Sequence, residues 1–227
     1  MSVSLFSFLL LFSLCLLLEP PQRLDLSADN FPTMVLLVAV VIGLVAGLCR
    51  AWIGKRQYRA YELKLPGLVL LAFVPQFIAF YIPSFRTQIS DQTVSILFVS
   101  SLIVLFVFSL FNIRKTSFWP ITLGFFLNAL VIILNGGWMP ISPDNVQKLN
   151  PNAPAGSWSV GQRLGYTKDI VLNPESTRFW FLSDRFTLPD WMSYQVAFSL
   201  GDVFISLGVI WLLWSLGGKK KEFIKES

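Results

Sequence analysis

The sequence predicts an all-α fold: a polytopic membrane helix bundle of six transmembrane helices, both termini cytoplasmic, with a long outer loop between helices five and six. Three observations carry that reading. Of 227 residues, 54% are hydrophobic, 15% aromatic and only 14% charged, where an ordinary soluble domain carries about 25% charged residues. Mean hydropathy is +0.63. Second, stretches without Asp, Glu, Lys or Arg recur at 1–18, 30–49, 65–85, 92–113 and 116–143, and a sixth at 191–218 is broken only by Asp202. Third, Lys and Arg are shared unevenly among the connecting segments. A spanning helix needs about 20 mostly apolar residues. Backbone groups in lipid must be paired within the segment, so each run reads as one helix. Transmembrane strands would be about 10 residues long and alternate in polarity, and these runs do not alternate.

In chain order, the first span is placed at about 2–18. It has no positive n-region and no small-x-small site before Glu19-Pro20-Pro21, so it reads as an uncleaved helix rather than a signal peptide. The second, 33–50, runs into the basic loop RAWIGKRQYRAYELK (50–64). Spans three to five fall at 66–84, 92–112 and 118–135. Asn135-Gly136-Gly137 then stops the fifth helix: glycine accepts positive φ, and Asn135 can bond the freed carbonyls. Pro140 closes this turn segment. The outer loop, 136–192, is rich in Pro and Gly and carries many aromatic residues. The sixth span is placed at 193–216. Residues 1–218 thus form one membrane domain, and 219–227 a basic cytoplasmic tail.

Orientation follows from the cations. With the N-terminus inside, the inner segments hold Arg50, Lys55, Arg56, Arg59, Lys64, Arg114, Lys115, Lys219, Lys220, Lys221 and Lys225. Their density is about fourfold that of the outer segments, the direction of the positive-inside rule. The net charge of +5 is therefore a topology signal for a multi-pass protein of the plasma membrane, and nucleic acid is not an expected partner. The inner basic segments also suit anionic lipid headgroups. Cys15 and Cys49 fall at opposite ends of their spans, too far apart for a disulfide.

The runs LNALVIILNGGWMPIS (127–142), FLSDRF (181–186) and FSLGDVFISLG (198–208) together resemble an uncharacterised bacterial family of small integral membrane proteins, a domain of unknown function. An Asn-Gly-Gly-x-Met-Pro turn and a Ser-Leu-Gly-Asp start to the last helix mark that family. The resemblance covers roughly residues 35–217 and implies a helical membrane protein without an assigned activity. Against it, helix 1–18 looks like an addition, and the loop around 143–178 looks longer than usual.

Enzyme chemistry finds little to work with. Without histidine there is no Ser-His-Asp, Cys-His or His-Glu-x-x-His site, and no phosphate-binding or dinucleotide fingerprint occurs. No catalytic residue, metal site or cofactor is expected. What remains is polar content inside the helices. At about 1.5 Å per residue, Asp202, Asn128 and Gln76 lie roughly 10–13 Å below the outer face, with Asn135 on the same face as Asn128. A buried carboxylate must face inward and find partners, and both amides can donate to it. Gly124, Gly201 and Gly208 would let the helices approach there. The cluster reads either as structural hydrogen bonding or as a site for a proton, cation or small polar ligand. Phe181-Leu182-Ser183-Asp184-Arg185-Phe186 reads as an interfacial anchor. Trp158, Trp180 and Phe181 are the expected contacts to a partner or headgroup layer. The leading function is a non-catalytic accessory or scaffolding subunit of a membrane complex. It would meet the bilayer along its helices and a membrane-protein partner through helix 1 and loop 136–192. The alternative is a small transporter or ligand-binding protein using the polar layer around Asp202.

Overall fold

Five apolar runs fold as helices: α1 (Val35–Ile53), α2 (Gly67–Tyr81), α3 (Asp91–Phe111), α4 (Phe118–Leu134) and, beyond a short α5 (Pro143–Leu149), α6 (Leu200–Leu216). The computed structural model describes residues 35–59, 62–82, 85, 88–154, 156–189, 191–192 and 195–218. The expected first span, 2–18, and the tail 219–227 lie outside these. Two helices, α1 of 19 residues and α3 of 21, are long and apolar enough to cross a membrane. The other three apolar helices have 15, 17 and 17 residues, roughly 22–26 Å at the usual rise, against about 30 Å of hydrocarbon.

Local chemistry explains where these helices stop short of expectation. Residue 82 precedes a proline, which drives it out of the helical region, and Ile82 is extended at φ −88°, ψ 109°. The last helix begins at Leu200 rather than 193, because Ser199 caps it. At the start of α3, Ser90 accepts a hydrogen bond from the Thr93 N–H, and Asp91 sits in the positive first turn.

In the bundle, α1 packs on α6, α6 on α4, α4 on α3 and α3 on α2. Glycines set the closest approaches. Gly43 faces Ile210 and Gly47 faces Leu213, so α1 and α6 run parallel. Gly124 faces Gly201 and Ile205, while Gly208 faces Ile121, so α4 and α6 run antiparallel. A Cβ at Gly43 would stand 2.9 Å from the Ile210 Cα. Small residues are what permit such contacts. Val69, Leu105, Phe108, Ile121, Phe125, Val209 and Leu213 fill the bundle core. Val38, Val41, Ile42 and Val45 on α1, with Ile96 and Ile103 on α3, stay exposed.

The two ends of the bundle differ. At one end the basic segment folds onto helix termini. Arg50 donates to the Trp214 carbonyl at 3.3 Å and lies over the Trp214 ring, and Arg56 donates to the Gly218 carbonyl at 3.0 Å. Cations suit the carbonyl end of α6. Tyr58 donates to the Leu213 carbonyl at 3.2 Å, and burial pushes its phenol up to about 12. Asn112 clasps both backbone groups of Lys64, and Lys115 Nζ donates to the Glu62 carbonyl.

The other end carries residues 136–199, where the all-α expectation needs correction. Strand β1 (Met139–Ile141) pairs in parallel with β2 (Asp169–Val171), and β3 (Phe186–Thr187) pairs antiparallel with β4 (Ala197–Phe198). This segment forms a cap with its own small core of Ile141, Val146, Leu149, Leu164, Val171 and Ala197. Frequent Pro and Gly prevent long helices here. Backbone groups buried beneath such a cap still need partners, and the short ladders supply them.

Candidate functional site

The polar residues gather where the cap meets the bundle, in two neighbouring groups. The first is built on Ser199-Leu200-Gly201-Asp202. The Ser199 Oγ accepts from the Asp202 N–H at 3.0 Å, and Asp202 Oδ2 accepts from the Ser199 N–H at 2.9 Å, a reciprocal capping box. Asn128, on α4, closes the ring: its Nδ2 donates to Asp202 Oδ1 at 2.8 Å, and its Oδ1 accepts from Ser199 Oγ at 2.8 Å. Gly201 leaves the room, since a Cβ there would collide with the Asn128 side chain. Both Asp202 oxygens and both ends of the Asn128 amide are thus satisfied.

Of the four residues expected in the polar cluster, Asp202, Asn128, Gln76 and Asn135, the structure brings Asp202 and Asn128 together. Asp202 lies in the first turn of α6 rather than deep along it, because the helix starts seven residues later than 193. Gln76 makes no hydrogen bond to that group. Its Nε2 donates to Ser101 Oγ at 2.7 Å, joining α2 to α3. Asn135 sits at the end of α4, where its Nδ2 donates to the Val131 and Arg178 carbonyls at 2.7 and 2.9 Å. Its Oδ1 accepts from the Arg178 N–H at 3.0 Å. Gly136 and Gly137 have φ of +80° and +86°, which favours glycine. Pro140 stands in β1, and its carbonyl accepts from the Asp184 N–H at 3.1 Å.

The second group is Lys168, Asp169 and Asp184. Lys168 Nζ lies 2.8 Å from Asp184 Oδ2 and 3.6 Å from Asp169 Oδ1. Both aspartates are 0% exposed and the lysine 5%. Both Asp169 oxygens and Asp184 Oδ1 are buried without a hydrogen-bond donor. Asn145 holds the Asp184 carbonyl at 3.0 Å. Burial pushes the Asp169 carboxyl up, with Lys168 drawing it back. Asp184 goes well above the ordinary carboxylate range through burial, against the pull of Lys168, and the Asp169 and Asp202 carboxyls raise it further. The two polar groups therefore sense one another.

Asp184 is not the interfacial anchor expected of FLSDRF; its backbone is held between β1 and Asn145, which draws the carboxyl inside. Arg185 remains exposed and stacks over the Trp180 ring at 4.1 Å. A cavity of about 260 Å³ opens beside Asn145, lined also by Asp144, Lys148, Trp180 and Arg185. Trp180 and Phe181 are 43% and 48% exposed. Trp158 is half-buried against the cap's own core, which removes much of it from an outer contact surface. Lys168 and Asp169 carry no signal in a charge count, because the outer loop sums to neutral.

Compared with known proteins, residues 60–214 match the model of a family described as a family of unknown function (DUF5317). No curated protein and no solved structure matches the chain.

Proposed function

The chain belongs to the DUF5317 family of unknown function, and from that premise we propose a non-catalytic, multi-pass protein of the plasma membrane that serves as an accessory or scaffolding subunit of a membrane complex. In this reading the exposed apolar faces of α1 and α3 meet lipid. The basic end lies in the cytoplasm and the cap outside, with N-in and C-in topology over six spans. The charge asymmetry of the sequence and the placement of Arg50, Arg56 and Lys115 at the end opposite the cap support that orientation.

One observation carries the accessory role. The cap has a closed core of its own, yet Phe179, Trp180 and Phe181 stand exposed together on its rim. Aromatic side chains with apolar bodies and few rotamers are the usual anchors of protein contacts. The alternative, a small transporter or ligand-binding protein centred on Asp202, draws less support, because Asp202, Asn128 and Ser199 satisfy one another.

The test is purification in mild detergent from native membranes, with and without Trp180→Ser plus Phe181→Ser. A stoichiometric partner should co-purify with the wild type, and its yield should fall at least several-fold in the variant while the helices stay inserted. An unchanged yield would remove the rim from the interface. A monodisperse monomer with a bound solute would favour the alternative.

A further inference from the structure

Two carboxyls and one ammonium group share the dry junction beneath the cap. Asp169 lies on β2, Asp184 beside β1, and Lys168 on the residue preceding β2. The charged group facing them from α6 is Asp202, which the Asn128 amide and the Ser199 N–H already satisfy. If both carboxyls were ionised, Lys168 could neutralise one of them. The other would be a bare buried charge, a state that proteins avoid by taking up a proton. The atoms point the same way. Lys168 is tight on Asp184 Oδ2, whereas three carboxylate oxygens, two of Asp169 and one of Asp184, have no donor within hydrogen-bond distance, Lys168 Nζ standing 3.6 Å from Asp169 Oδ1. A proton on the pair supplies the missing donor.

We propose that Asp169 and Asp184 form a proton-binding site, holding one proton between them while Lys168 balances the remaining charge, and that this proton keeps the cap closed on the start of α6. The site is bistable in a simple sense. With the proton, the triad is neutral. Without it, Asp169 and Asp184 present two negative charges to one lysine, and water must enter to solvate them. Strand β2, which carries Asp169, and the isolated bridge from Asp184 flank β1, which follows the Gly136-Gly137 turn, so the protonation state is felt where the cap joins α4. This inference is independent of the accessory role and needs no partner.

The experiment uses the full chain in detergent or lipid nanodiscs. Infrared spectroscopy of the wild type at neutral pH should show the carbonyl stretch of a protonated carboxylic acid that disappears on alkaline titration. Asp169→Asn should abolish that band, because its amide supplies the N–H in place of the proton while the Lys168–Asp184 pair remains. In parallel, wild-type Tm should drop as pH rises through the titration of the band, and Asp169→Asn should be flat there. If Asp169→Asn does not fold, Asp184→Asn takes its place, with the same expected loss of the band. Absence of a protonated-carboxyl band in the folded wild type at neutral pH would overturn the proposal. So would its persistence in a folded variant, or an unchanged pH dependence of Tm.

Discussion

Asn128 is a joint between two helices rather than a spare polar group, because each end of its amide has a partner across α4 and α6. Replacing it with Leu leaves Asp202 Oδ1 and the Ser199 hydroxyl short of a partner. The expected cost is about 1–3 kcal/mol, read as a lower Tm in detergent with unchanged membrane insertion. Lys168→Met isolates two buried carboxyls. Removing one partner of a buried pair costs roughly 3–5 kcal/mol, and here the loss should depend on pH. The folded-state pKa of both aspartates lies above its unfolded value. Their stabilising contribution is therefore complete below about pH 4, and fades as pH rises through the folded value. The Lys168→Met defect should be small at acid pH and large at alkaline pH; an equal defect at both would exclude charge isolation as its cause. At this scale the sequence was partly legible. Asp202 and Asn128 stood out as polar groups in apolar runs, but Lys168 and Asp169 lay in a neutral loop where nothing local marks a buried charge. Burial there comes from cap packing, a long-range property.

Among the elements, helix positions followed hydrophobic runs closely and helix ends followed local chemistry. Val35–Ile53, Asp91–Phe111 and Phe118–Leu134 fall within three residues of their expected bounds. The last helix was misplaced by seven residues because its apolar run continues through β4, and hydropathy cannot tell an extended apolar segment from a helical one. Ser199-Leu200-Gly201-Asp202 reads as a family mark at the start of the last helix but did not set its expected bound at 193, although a serine three residues before an acid caps a helix. Ser199→Ala should cost about 1 kcal/mol as a lost cap, and more where it also frees Asn128 Oδ1. Gly201→Ala probes the crossing itself. Its methyl would overlap Asn128 and approach the Gly124 carbonyl, forcing α4 and α6 apart at an expected 1–3 kcal/mol, about the usual cost of overpacking. A Tm equal to wild type would show that the crossing tolerates separation. The strands of the cap were not legible, because two- and three-residue ladders leave no periodicity to read.

For the molecule as a whole, the segregation of the basic segment from the cap is the feature from which its placement in a membrane is argued. Arg50 and Arg56 bind the carbonyl end of α6, and Lys115, in the turn after α3, binds the Glu62 carbonyl, while the cap covers the opposite end. Arg163, stacked within the cap on Trp138 at 4.4 Å, clips the cap to the start of α3 by its ion pair to Asp91 at 2.6 Å. Asp91 is largely exposed, so this clip adds little stability in salt. The central claim is a multi-pass topology with the cap outside. Its most direct test is cysteine accessibility in a background carrying Cys15→Ser and Cys49→Ser. Ser157→Cys, in the cap, should react with an impermeant maleimide on intact cells, and Ser227→Cys only after permeabilisation. Labelling of position 227 in intact cells, or protection of position 157 until the membrane is opened, would contradict the account.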